Sequence, residues 1–180
     1  VEPRRLRVVI AGPDMAVAAD HRALPTHHQA GLAVCLEADQ PVHHVLYLYA
    51  YAGKAHQTQY WVRRVLDELY APNMFCGDED NGEMASWYIF SALGFYPFCP
   101  GHPSYVLGSP LFKKATIHLP NGNQLAINAP NNGPNNPCVQ WVMLNGEAHS
   151  AADLTHEHIM QGGTLEFTMP DQPVERSLAD

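Results

Sequence analysis

The sequence predicts an α+β chain in which helices come first and antiparallel strands follow. Three observations carry that reading. Apolar residues recur with helical spacing between residues 40 and 99, and they alternate with period two between 112 and 170. Proline and glycine gather where one pattern gives way to the other, near Pro100 to Pro110. With 180 residues, 46% of them hydrophobic, the chain suits one domain or parts of two and can bury a sizeable core.

Residues 1–38 show no clear period and are expected to be irregular. Arg4-Arg5-Leu6-Arg7 precedes Val8-Val9-Ile10, a candidate short strand, and His21 to Ala33 is rich in His and Ala. Val42 to Ala52 is aromatic and aliphatic almost all round, which predicts a buried helix, with Pro41 suited to its first turn and Gly53 to its end. Gln57 to Tyr70 places Val62, Val65, Leu66 and Leu69 on one helical face and Arg63, Arg64, Asp67 and Glu68 on the other. Gly82 to Leu93 forms a third helix, stopped by Gly94 with Pro97 beyond, and its apolar surface demands packing on more than one side.

The period then changes. Ala115, Ile117 and Leu119 alternate with Thr116 and His118 as a half-buried strand, Pro120 to Asn123 turns, and Gln124 to Ala129 returns. Pro130 to Pro137 is a loop dense in Asn and Pro. Val139 to Leu144 is a strand ending at the hairpin signal Asn145-Gly146, and Thr164 to Met169 is the last strand.

Composition excludes several functions. The net charge is −8 and no basic stripe runs along a helix, so nucleic acid is not an expected partner. No apolar run reaches the ~18 residues of a membrane span. The chain starts at Val1 without a signal-peptide pattern and reads as a fragment. Cys35, Cys76, Cys99 and Cys138 are scattered without a C-x-x-C pair, which argues against a zinc site and for separate buried thiols, although Cys76 and Cys99 flank one helix.

The most informative segment is Cys76-Gly77-Asp78-Glu79-Asp80-Asn81-Gly82-Glu83, four carboxylates held by two glycines at a helix entrance. Backbone N–H groups and the helix dipole favour the ionised form there. Two readings share this spacing: a solvated acidic cap on a core helix, and carboxylates aimed into a cleft as general base or cation ligand. An EF-hand is excluded, because the fifth, sixth and twelfth places from Asp78 hold Gly82, Glu83 and Ile89. His43 and His44 sit at a helix start, but adjacent residues point about 100° apart, which argues against one shared metal. Trp87, Tyr88 and Tyr96 suit sugar stacking or core packing, the latter for at least two of them. His156 and His158 carry no readable signal.

These residues resemble a known family. Gly77 to Met84, followed by Trp87-Tyr88-Ile89-Phe90-Ser91-Ala92-Leu93-Gly94-Phe95-Tyr96-Pro97, is similar to the signature of glycoside hydrolase family 92, the calcium-dependent, inverting exo-α-mannosidases. The likeness continues through Gly108-Ser109-Pro110-Leu111-Phe112, Ala115 to Gly122, Leu144-Asn145-Gly146, Thr155-His156-Glu157 and Ile159 to Leu165. Upstream it includes Pro41-Val42-His43-His44, Tyr47-Leu48-Tyr49, Tyr51 to Lys54 and Thr58-Gln59. It covers about residues 40–170.

The resemblance implies that residues 39–110 supply the last helices of an (α/α)6-barrel catalytic domain, that 111–172 form C-terminal antiparallel strands, and that 173–180 are a tail. Asp80 matches the family's general base and Asp78 the partner carboxylate that helps hold the attacking water. His43, His44 and Glu83 become substrate-binding candidates. Calcium is the implied cofactor, with no ligand assignable. A mannose-terminated glycan is the implied substrate, and a secreted or periplasmic location is implied by the family alone. Two departures stand out: Gln40 replaces the usual Glu, and the family's general acid, a Glu in a Glu-Gly-Asn context, has no counterpart in residues 1–38. The chain is therefore expected to need an upstream part of the same protein. The alternative is a catalytically inactive carbohydrate-binding or structural module.

Overall fold

A computed structural model describes residues 43–71, 79 and 81–170, together with the backbone of 7–10. The helical part opens with a 3-10 turn, Val45–Tyr47, running into α1 (Leu48–Tyr51). The expected all-round burial is not found. Leu46, Tyr47 and Ala50 are buried, whereas Leu48, Tyr49 and Tyr51 are 46%, 36% and 60% exposed. So short a segment turns one stripe toward its neighbour, α2 (Ala55–Glu68), and the opposite stripe stays outside. Thr58 fastens the two, donating to the Leu46 carbonyl at 2.8 Å and accepting from the Ala50 amide at 3.1 Å.

On α2 the apolar face is as expected, with Val62, Val65 and Leu66 buried, but Arg63 departs from the reading. It is 4% exposed. Gln59 and Arg63, one turn apart, leave the solvent face to bind the strand region. Arg63 Nη1 donates to the Pro110 carbonyl at 2.8 Å and to Asn132 Oδ1 at 2.6 Å, and Gln59 Oε1 accepts from the Val139 amide at 2.9 Å. A buried guanidinium needs such partners because an unpaired one costs several kcal/mol.

α3 (Glu83–Leu93) ends at Gly94, whose φ of +93° suits only glycine; a Cβ there would also press within 3.2 Å of Pro110 and 3.1 Å of Phe167. The helix links two apolar clusters. Met84 and Trp87 join Leu46, Tyr47, Val62, Leu66 and Val106 in one, while Leu93 joins Phe95, Ile117, Leu125, Ile127, Leu165 and Phe167 in the other.

Strands begin earlier than the period change suggested. β2 (Phe95–Tyr96) and β3 (Ser104–Leu107) pair with each other, and β3 pairs with β8 (Asp153–Thr155), forming a three-stranded sheet. The larger sheet runs β1 (Arg7–Ile10), β4 (Lys114–His118), β5 (Gln124–Asn128), β9 (Gly163–Thr168), β6 (Trp141–Leu144) and β7 (Glu147–Ala148). The candidate strand at Val8 to Ile10 is present, antiparallel to β4.

One expectation is corrected: the strands are not all antiparallel, because β5 and β9 run parallel, Leu125 opposite Gly163. Helix α4 (His156–Gln161) explains it. Asn121 and Asn123, at the turn before β5, donate to the Met160 and Gln161 carbonyls at the end of α4. The chain therefore enters β9 at the same end as β5. Cys99 is exposed and Cys138 half-buried, both free, so the buried-thiol expectation fails for Cys99; Cys35 and Cys76 lie outside the described residues.

Candidate active site

The entrance of α3 is built by residues before it. Gly82 at the N-cap has φ of +86° and no side chain to cap with, and Asn81 has φ of +54°. Glu79 supplies the missing acceptor: its Oε2 takes the Ala85 N–H at 3.0 Å. Ser86 Oγ donates back to the Gly82 carbonyl at 2.6 Å. The carboxylate expected at the helix entrance is thus present in Glu79, placed where N–H groups and the dipole stabilise it. Glu83 follows in the first turn with an exposed side chain. Asp78 and Asp80, expected as partner carboxylate and general base, lie outside the described residues, as does Gln40.

His43 meets this entrance from the other side. Its ring stacks on Trp87 with centroids 5.6 Å apart and planes at 27°, and Trp87 in turn stacks on Tyr70 at 5.7 Å and 14°. The Trp87 indole N–H donates to the His43 carbonyl at 3.1 Å. Among the described residues His43 Nδ1 is buried without a hydrogen-bond partner; Glu83 Oε1 lies 3.6 Å away, within ion-pair range but too far for a hydrogen bond. A buried polar atom left this way costs about 1–3 kcal/mol. Burial lowers the His43 pKa; the Glu83 and Glu79 carboxylates oppose the shift and His44 adds to it.

Two further features extend the site. Tyr96 stacks on the buried Tyr47 at 4.8 Å, and Tyr47 shares a 2.8 Å hydrogen bond with Ser91. Burial lifts the Tyr96 phenol, and the Glu83 carboxylate lifts it further, so Tyr96 faces the same acidic corner. The exposed His44 meets Phe98 edge-on at 5.9 Å, and Phe98 meets Tyr51 at 4.7 Å. The structure brings His43 and Glu83 together and sets His44 beside them on the aromatic shelf. Trp87 is a core residue, 2% exposed, rather than an open sugar platform.

Chemically, this corner offers carboxylate acceptors, an imidazole and aromatic surface, which suits hydroxyl-rich ligands. Among the described residues no group of three or more His, Cys, Asp or Glu is arranged to hold a metal ion.

Residues 14–171 match the glycosyl hydrolase family 92 catalytic domain. The chain belongs to glycoside hydrolase family 92. The match begins upstream of the family-like motifs, which start near residue 40, and so takes in residues 14–38 as well. Among solved structures, a family GH92 inverting mannosidase from Bacteroides thetaiotaomicron is 42% identical, with a TM-score of 0.75 over 86% of this chain and 22% of that one. A family GH92 alpha-mannosidase from the same organism is 33% identical, with a TM-score of 0.75 over 79% of this chain and 19% of that one. An uncharacterized secreted glycosidase of Arthroderma benhamiae is 28% identical over 141 residues, 73% of this chain and 18% of its own length. The family 92 chain thus spans about a fifth of the length of these relatives. None of its described helices is long and apolar enough to cross a membrane.

Two functional features escaped the sequence. Glu79 as the cap was hidden because a cap is sought at the residue before the helix, and Gly82 occupies that place. The Trp87 contact with His43 had a partial signal: Trp87 lies four residues after Glu83, on the same helical face.

Proposed function

We propose that this family 92 chain is the base-bearing part of an exo-α-mannosidase that hydrolyses terminal α-mannosides of glycans with inversion. The observation that carries this is the family match across the acidic loop, supported by the likeness to an inverting mannosidase at 42% identity. In this reading Asp80 takes a proton from water as the water oxygen attacks the anomeric carbon. The glycosidic C–O bond breaks, and the leaving oxygen receives a proton from an acid elsewhere in the longer protein. Inverting chemistry places base and acid roughly 6.5–9.5 Å apart to admit that water. Asp78 helps hold the water, and His43, His44 and Glu83 line the sugar-binding edge.

The remaining barrel helices, the calcium and the secreted or periplasmic location belong to the same proposal. The secreted glycosidase relative supports the last. The longer protein, given an α-linked mannobiose and followed by proton NMR, is expected to release β-mannose first, more slowly after chelation. Release of α-mannose first would contradict inversion. Binding without release would favour an inactive carbohydrate-binding module.

A further inference from the structure

Glu83 and Trp87 sit one helical turn apart on α3, and both engage His43, the indole by its ring face and the carboxylate near Nδ1. The indole stacks on the imidazole at 5.6 Å and holds the His43 backbone through its N–H bond to the carbonyl, and Tyr70 backs the indole. What remains free is the position of the ring's proton. A neutral imidazole carries one N–H, and an ionised carboxylate only accepts. Among the described residues Nδ1 is buried without a hydrogen-bond partner, and Glu83 Oε1 lies 3.6 Å from it. A proton on Nδ1 faces that carboxylate; a bare Nδ1 turns a lone pair toward negative charge. Glu79 adds to the same field, and among the described residues the exposed His44 acts against it.

We propose that Glu83 is a positioning residue acting through His43: its carboxylate keeps the proton on Nδ1, Trp87 fixes the ring plane, and Nε2 is left as a hydrogen-bond acceptor for a sugar hydroxyl. This rests on the mannosidase reading above and sharpens it, since Glu83 then serves the substrate through His43. The logic is that of an imidazole whose working nitrogen is chosen by the charge its other nitrogen faces.

The test is a double-mutant cycle in the longer protein, with Glu83→Ala, His43→Ala and the pair, read as kcat and KM on α-linked mannobiose. The ring-nitrogen NMR spectrum of His43 is recorded in the wild type and in Glu83→Ala. Glu83 is 47% exposed, so its truncation spares the core. Each single variant is expected to raise KM about tenfold, and the pair no more than His43→Ala alone. In Glu83→Ala the proton moves from Nδ1 to Nε2. Additive losses, or an unmoved proton, would overturn the proposal. So would an inert His43→Ala. In that case Asp80→Asn separates the two ideas: lost turnover there leaves the mannosidase reading standing, and retained turnover removes both.

Discussion

The strand region and the helical region of this chain are finished to different degrees. In the larger sheet, Leu125, Ile127, Leu165 and Phe167 are at most 2% exposed, and the sheet closes over them with the end of α3. In the helical region, Leu48, Tyr51 and Ile89 stand 46%, 60% and 49% exposed, and among the described residues His43 Nδ1 is buried without a hydrogen-bond partner. Burial stabilises by about 25 cal/mol per Å² of apolar surface, so the strand region, where Trp141 is 50% exposed but the inner face is covered, collects more of its share than the helical region. The candidate site therefore sits in the part that, among the described residues, leaves more of its apolar surface uncovered.

The comparison can be broken most severely at Phe167. Phe167→Ala should cost about 3–5 kcal/mol and abolish the cooperative melt of the strand region, measured by circular dichroism. A change below 1 kcal/mol would mean that this core is not what holds the sheet together. Next in size is Arg63→Met, which strands the Asn132 and Pro110 acceptors and should cost about 1.5–3 kcal/mol. It should also split one melting transition into two, with the helical part melting first; a single transition after the substitution would show that the polar seam does not couple the regions.

His43 gives a pH test of the helical region. Its folded pKa lies below the ordinary 6.5 because of burial, so the unfolded chain takes up a proton that the folded chain refuses. Stability is therefore full above the unfolded pKa and falls as pH drops through it toward the folded value. The melting temperature is expected to decline between pH 7.5 and 5.5, and His43→Gln should flatten that decline. An equal decline in the variant would assign the effect to other groups. The smallest effect is expected at α4, where Thr155→Ala removes the acceptor of the His158 amide and should cost about 1 kcal/mol in urea unfolding.

Sequence patterns revealed elements whose causes are local. The alternation through Ala115, Ile117, Leu125 and Ile127 located β4 and β5, and Asn145-Gly146 marked the turn between β6 and β7. Helix α4 was invisible because it is six residues long and its capping box uses His158 where the usual pattern has Glu or Gln. β2 spans two residues, too short to show a period. Arg63 read as a solvent-facing charge because its partners, Pro110 and Asn132, come from distant turns. The same holds for the site. The acidic helix entrance was legible, whereas the meeting of His43 with Glu83 and Trp87 depends on how the first turn folds over α3.

Asp80 is the proposed base of this family 92 chain. The most direct measurement is kcat on α-linked mannobiose for Asp80→Asn in the longer protein, with mannose affinity followed by calorimetry. Loss of about 10²–10⁴-fold in kcat with affinity retained is the result expected of a general base. Turnover within a few-fold of the wild type would contradict the account.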